Sequence, residues 1–333
     1  MGVANIKRQV MMKVMKSKHL KFIFPFLEKV NFTIFHFNER MHMTHPGKED
    51  PDHIYYVIRP RGVQEGLLST YYFVMDRIYY AQTHGYIPYV DFDSNLCQYH
   101  IDTPVNGTTN AWEYFFKQPS DLTKEDLQRK KNVLLSGWTY HKNHNAFSLP
   151  KDFKDPHYDI TEQVCQKYGQ FNASIQKMAD DKFHELFGDS QDVLGIFIRG
   201  TDYVALRPKG HPIQPSVEQV IAKANSWIDE KNLKNVFLVT EDYSYVEAFQ
   251  KDLHTAFKVS DQDFVKNYKT NDYVSSAFQD NAYQRGLNYL IRLILLSKCQ
   301  YLIASITNGS LYSQLINGHR FKKQYWFDLG LYE

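Results

Sequence analysis

The sequence predicts an α/β protein of two Rossmann-like domains, and three observations carry that prediction. The chain has 333 residues, long for one compact core and suited to two. Short apolar runs of strand length alternate with stretches of helical spacing from residue 54 onward. Three of the runs in the second half stop abruptly in polar or small residues. Residues 193–198 stop in Arg199, Gly200, Thr201 and Asp202. Residues 235–239 stop in Thr240, Glu241 and Asp242. Residues 301–304 stop in Ser305, Thr307, Asn308, Gly309 and Ser310. In open α/β sheets the ligand crevice lies outside the carboxyl ends of the strands, so these residues describe one ligand edge.

The elements follow in order. Residues 1–33 carry Lys7, Arg8, Lys13, Lys16, Lys18, Lys21 and Lys29 against a single acid, Glu28. No apolar run there reaches the ~18 residues that a membrane-spanning helix needs. No small-residue cleavage site follows a clean apolar core, so a signal peptide is not expected. Such a basic amphipathic segment either lies on an anionic membrane surface or docks on the body with its lysines in water. Residues 40–53, rich in His, Lys, Glu and Pro, read as a linker. The organisation is therefore a basic segment and linker (1–50), a first α/β domain ending in a connector helix (51–188), and a second α/β domain (189–333).

In the first domain, residues 54–58 form a strand and Leu67 opens a helix that runs to His84. Gly62 and Gly66 bracket the turn between them. A strand, glycine loop and helix can present backbone amides to an anion, although a tight βα turn uses glycines as well. Residues 87–91 and 132–136 are further strands. Residues 106–116 set Asn106 and Asn110 beside Trp112, Tyr114, Phe115 and Phe116, which suits either a sugar surface or a buried aromatic helix. His141 and His144 have no third ligand nearby, so no metal site is expected. Residues 161–187 have the spacing of one long helix.

In the second domain the strand over 193–198 delivers Arg199, whose guanidinium fork suits a phosphate. Gly200 allows a sharp turn or a close ligand approach. The same residues also describe a strand end capped by an Arg199–Asp202 ion pair. Residues 260–284 read as a lid or a plain surface loop. A strong helix follows over 283–298. Arg285 near its start could reach a phosphate, and Arg292 reads as a structural ion pair.

Composition narrows the function classes. The net charge is +2, which gives no support to nucleic-acid binding. Cys97, Cys165 and Cys299 are widely spaced and odd in number, so they form no metal motif and no disulfide framework. That favours a reducing compartment, and the expected location is cytoplasmic, with peripheral contact at the inner face of a membrane through residues 1–33.

The pattern Arg199-x-Thr201-Asp202, eight residues, then His211-Pro212-Ile213 resembles the bacterial nodulation fucosyltransferases and the animal core α1,6-fucosyltransferases. The protein O-fucosyltransferases are similar at greater distance. The strand closing in Thr240-Glu241-Asp242 resembles their Thr-Asp-Asp motif. Residues 288–310 resemble their helix, strand and small-polar loop on the donor nucleotide. The resemblance covers roughly residues 190–318 and implies a GT-B fold, two Rossmann-like domains facing a cleft. It also implies sugar transfer from GDP-fucose without a metal. The chain departs from the pattern at three points. Gly200 replaces a second Arg, Phe197 replaces a His that helps hold guanine, and Arg207 stands where the core enzymes place a catalytic Glu. Glu65-Gly66 is similar to a Glu-Gly that serves as base in one branch of the O-fucosyltransferases.

The implied function is an inverting glycosyltransferase, with fucose the favoured sugar. It would move that sugar from a GDP-sugar to a glycan or lipid-linked glycan acceptor. Arg199 meets the charge of the departing diphosphate, helped by Gly200, Gly62, Gly66 and the loop Ser305, Thr307, Asn308, Gly309 and Ser310. Asp242 holds ribose hydroxyls or a base edge. Glu65 is the expected general base and Asp202 its rival, although Asp202 also suits a brace for Arg199. Two other readings stay open: a nucleotide-sugar-binding scaffold of a glycan assembly complex, and a transferase using another nucleotide sugar.

Overall fold

The computed structural model describes residues 41–60, 65–93, 97–137, 148–190, 192–261, 264–266, 268 and 281–333. The basic segment 1–33, Gly62, and the His141 and His144 pair lie outside these residues. Contacts divide the chain into two compact units, residues 1–150 with 155–172, and residues 151–154 with 173–333.

The first unit is built on a four-stranded sheet of order β1-β4-β2-β3. Strand β2 (Tyr55–Ile58) is buried at all four positions, as its apolar run requires. Helix α1 (Leu67–Thr83) then crosses back to β3 (Ile87–Val90), which pairs parallel to β2 with Tyr55 opposite Ile87 and Ile58 opposite Val90. Strand β4 (Val133–Leu135) pairs parallel on the other side of β2, after the short helix α2 (Lys124–Arg129). The edge strand β1 (His42–Thr44) runs antiparallel to β4. It lies in the stretch expected to be a linker. The three-residue strand is too short to register as a run, and the backbone amides of Gly47 and Lys48 tie the chain after it to Lys130 and Arg129.

The aromatic stretch 106–116 forms turns rather than a helix. Trp112, Tyr114, Phe115 and Phe116 are all buried, and the Trp112 indole N–H donates to the Lys117 carbonyl at 2.9 Å. Asn110 spends its amide inside the fold, donating to Val90 O at 2.7 Å and accepting from Phe92 N at 3.0 Å. These residues make core, so of the two alternatives Trp112 and Tyr114 take the buried one.

The single helix expected over 161–187 is two helices, α3 (Tyr158–Tyr168) and α4 (Ala173–Phe187). The break has a steric and a hydrogen-bonding cause. A Cβ on Gly169 would lie 1.9 Å from the Tyr71 hydroxyl, so the chain turns there against α1. Lys117 N then donates to Gln170 O, and Asn172 N to Phe115 O. Helical spacing of apolar residues continues across the break and conceals it.

The second unit holds a five-stranded, wholly parallel sheet of order β7-β6-β5-β8-β9. Its members are β5 (Val193–Phe197), β6 (Asn235–Val239), β7 (Phe257–Lys258), β8 (Tyr301–Ser305) and β9 (Lys323–Phe327). From β5 the chain steps outward to β6 and β7. It then returns through helix α8 (Ala282–Lys298) to β8 on the opposite side of β5. The strand order reverses between β5 and β8, which is where doubly wound sheets bind ligands. The three apolar strands read from the sequence are the adjacent strands β6, β5 and β8. Helix α6 (Val217–Lys231) buries Val220, Ile221, Ala224, Trp227 and Ile228 against one face of the sheet. Helix α8 covers β5 closely enough that a Cβ on Gly195 would lie 2.6 Å from Leu296 Cδ1.

Candidate active site

At the β5–β8 switch, side chains from several elements converge. Phe197 and Val239 pair across β5 and β6, and two residues further along each chain come Arg199 and Glu241. Arg199 Nε donates to Glu241 Oε1 at 2.8 Å, and Nη2 donates to Asp202 Oδ1 at 2.7 Å. The Arg199 side chain is 16% exposed and Glu241 12%. Tyr203 covers the guanidinium, with Cζ 4.7 Å from the ring centre. Burial pulls the Arg199 pKa down, but Glu241 and Asp202 outweigh it and hold the guanidinium above its usual value. Nη1 makes no hydrogen bond among the described residues.

Glu241 is the hub of this arrangement, and sequence reasoning passed over it in favour of Asp242. Its Oε1 also accepts from Thr201 Oγ1 at 2.9 Å and from Gly200 N at 3.3 Å. The signal was available: with β5 and β6 adjacent and ending together, Arg199 and Glu241 stand at matching positions. Asp242 instead caps helix α7 (Tyr243–Asp252), accepting from Ser244 N at 3.0 Å and Ser244 Oγ at 2.7 Å through Oδ1. Its Oδ2 accepts from Thr201 N at 3.3 Å.

Gly200 is needed for space, but a protein side chain takes that space. A Cβ there would lie 2.5 Å from Asp242 Oδ2. Thr201 follows with φ of 45° and opens the short helix α5 (Thr201–Leu206). A β-branched residue in the left-handed region is strained, and such strain persists only where neighbours over-determine it. Here Glu241 and Asp242 hold the Thr201 hydroxyl and amide. Arg207, at the position matching the core enzymes' Glu, ends α5 with φ of 43°. His211 is exposed, and its ring meets Tyr203 edge-on.

From β8 the chain passes Ser305 into helix α9 (Asn308–Asn317). Thr307 caps it in a reciprocal box: Thr307 Oγ1 accepts from Ser310 N, and Ser310 Oγ accepts from Thr307 N at 3.0 Å. Ser310 Oγ also donates to Ser305 O at 2.6 Å. The amides of Asn308 and Gly309 make no hydrogen bond among the described residues. This turn sits against β5, because a Cβ on Gly309 would lie 3.2 Å from Phe197 Cζ and 2.3 Å from the Tyr289 hydroxyl. Burial pushes the Tyr289 phenol up to about 12. Arg292 pairs with Asp261 through both Nε, at 2.7 Å, and Nη2, the structural ion pair that its position suggests.

In the first unit, Glu65 precedes α1 and accepts from Ser69 Oγ at 2.7 Å. Gly66 caps the helix with φ of −62°, and a Cβ there would meet nothing within 4 Å. Neither backbone angle nor space requires glycine at Gly66. Among the described residues no cluster of His, Cys, Asp and Glu is arranged to hold a metal ion. No described helix is long and apolar enough to cross a membrane.

No family model and no curated protein matches the chain. Solved structures do resemble it. The fucosyltransferase NodZ from Bradyrhizobium is 16% identical, over 78% of this chain and 92% of its own, with a TM-score of 0.42. Arabidopsis thaliana FUT1, solved with GDP, is 10% identical over 83% of this chain and 71% of its own, at 0.44. POFUT1 in complex with GDP is 8% identical over 84% of this chain and 99% of its own, at 0.44.

Proposed function

We propose that the protein is a glycosyltransferase of GT-B type that transfers a sugar, fucose favoured, from a GDP-sugar to a glycan acceptor with inversion. The observation that carries this reading is the placement of Arg199 at the end of β5, two residues beyond Phe197, on which the first turn of α9 packs. A departing diphosphate brings negative charge, which Arg199 Nη1 and the amides of Asn308 and Gly309 are suited to receive. In the transfer, an acceptor oxygen attacks the anomeric carbon from the face opposite the nucleotide. The bond to the diphosphate breaks as the new C–O bond forms, and the acceptor proton passes to a base. Glu65 is the base in this reading, and Asp202 braces Arg199. Activity insensitive to EDTA is expected.

The test is a thermal-shift screen of GDP-, UDP- and dTDP-sugars, followed by donor hydrolysis. GDP and GDP-fucose should stabilise the protein, and Arg199→Ala should abolish the shift. Glu65→Gln should remove turnover and leave donor binding intact, whereas full turnover in that variant removes Glu65 from the role. A second reading, a nucleotide-sugar binder without turnover, is favoured by Glu241 and Asp202 together, because they neutralise Arg199 without any ligand. A pure binder releases no nucleotide.

A further inference from the structure

One titratable group at the β5–β8 switch has no part in the chemistry above. Tyr289 stands in the second turn of α8, and the residue is half-buried. Its hydroxyl end lies deep, where the charges of Arg199 and Glu241 both act on it. Gly309 fixes where that hydroxyl points. A Cβ on Gly309 would lie 2.3 Å from the Tyr289 hydroxyl, so the oxygen rests against the second residue of α9. It stands beside the amides of Asn308 and Gly309, which make no hydrogen bond among the described residues. Gly309 has no positive φ, so backbone angle does not require glycine there. What the glycine supplies is room for the hydroxyl. That hydroxyl makes no hydrogen bond among the described residues, and unlike the partnerless Ser305 Oγ it is not sealed from solvent. Buried polar groups are nearly always paired, so a deep tyrosine hydroxyl with no partner and an open approach points to a ligand that supplies one.

We propose that the Tyr289 hydroxyl donates a hydrogen bond to a phosphate oxygen of a diphosphate ligand at the α9 turn. Donation is the role its surroundings select. Burial pushes the phenol up to about 12, so it keeps its proton across the neutral range. Arg199 already gives N–H groups to Glu241 and Asp202, so its charge is offset before any ligand arrives. A diphosphate at this switch therefore depends on neutral donors, and Tyr289 adds one to the two amides. As the bond between sugar and diphosphate breaks, negative charge grows on the departing oxygens, and a donor aimed at them gains strength. The proton stays on Tyr289 throughout. This rests on the nucleotide-sugar reading and adds a substrate-contacting residue to it.

The experiment measures binding of GDP and inorganic pyrophosphate to the purified full chain by calorimetry. Tyr289→Phe keeps the ring and deletes only the donor. It should weaken GDP and pyrophosphate alike by roughly tenfold, and slow GDP-fucose hydrolysis at saturating donor by at least as much. The melting temperature without ligand should hold or rise, because the lost hydroxyl leaves no partner stranded. Unchanged affinity for both probes overturns the proposal. Weakening of GDP with pyrophosphate unchanged also overturns it, because the hydroxyl then faces the nucleoside and not the phosphates. If Tyr289→Phe does not fold, fluorotyrosine placed at position 289 keeps the hydroxyl and reports on it directly. Its fluorine resonance should move when pyrophosphate is added, and a resonance that stays in place overturns the proposal. Wild-type protein that binds neither probe overturns the nucleotide-sugar reading itself, a result separate from any difference between variant and wild type.

Discussion

Removing Arg199 should cost stability before it costs anything else. Its side chain and those of Glu241 and Asp202 are mostly buried, at 16%, 12% and 9% exposure. Taking away one partner of a buried pair leaves an uncompensated charge, which typically costs about 3–5 kcal/mol. Arg199→Ala removes the cation that faces two mostly buried carboxylates, so about 3 kcal/mol is a cautious figure. At about 2–4 °C per kcal/mol for a domain of this size, the melting temperature should fall by roughly 6–12 °C. Glu241→Gln keeps an oxygen for Thr201 and leaves Arg199 its bond to Asp202, so it should cost less. The informative measurement is the double-mutant cycle by urea denaturation. The Arg199→Ala, Glu241→Gln double variant should lose less than the sum of the single losses, by about 1–3 kcal/mol. Additivity within about 0.5 kcal/mol would refute the coupling of Arg199 to Glu241.

Three further outcomes are expected. Gly169→Ala, driven against the Tyr71 hydroxyl at 1.9 Å, should destabilise the first unit by about 1–3 kcal/mol, and Tyr71→Phe in the same chain should recover part of that in a melt. Thr307→Ala, which breaks the capping box of α9, should cost about 1 kcal/mol by denaturation and weaken any anion bound at that turn. Burial raises the Asp91 carboxyl above the ordinary carboxylate range, against the pull of Lys124. The folded state therefore holds that proton more tightly than the unfolded chain does, and stability falls as pH rises through the window between the two values. Asp91→Asn should melt above wild type at pH 7, and the gap should close below pH 4.

The second unit was legible because parallel strands buried on both faces spell themselves as apolar runs. The runs beginning at Val193, Asn235 and Tyr301 are such strands. Strand β9 was not legible, because at the sheet edge Lys323, Gln324 and Tyr325 keep contact with solvent and its run is broken by polar residues. Periodicity could not see the Gly169 break, since packing against Tyr71 decides it. The site was read at its ends. Arg199, Thr307 and Ser310 stand where strand ends place them, but Glu241 and Tyr289 take their positions from tertiary register. Asp242 shows what sequence does not carry. A carboxylate at a strand end looks like a ligand group, and in the fold it also starts a helix.

The turn around His211 is fastened by residues 330–332. Gly210 N donates to Tyr332 O, Tyr332 N to His211 O, and Ile213 N to Gly330 O. The Tyr332 hydroxyl reaches Gln214 N across 118 positions. Links of such sequence separation close late when a chain refolds. The turn at 208–214 would then settle after the strands that frame it. Trimming residues 329–333 should leave a protein whose circular dichroism is nearly intact but whose turn at 208–214 is newly open to protease.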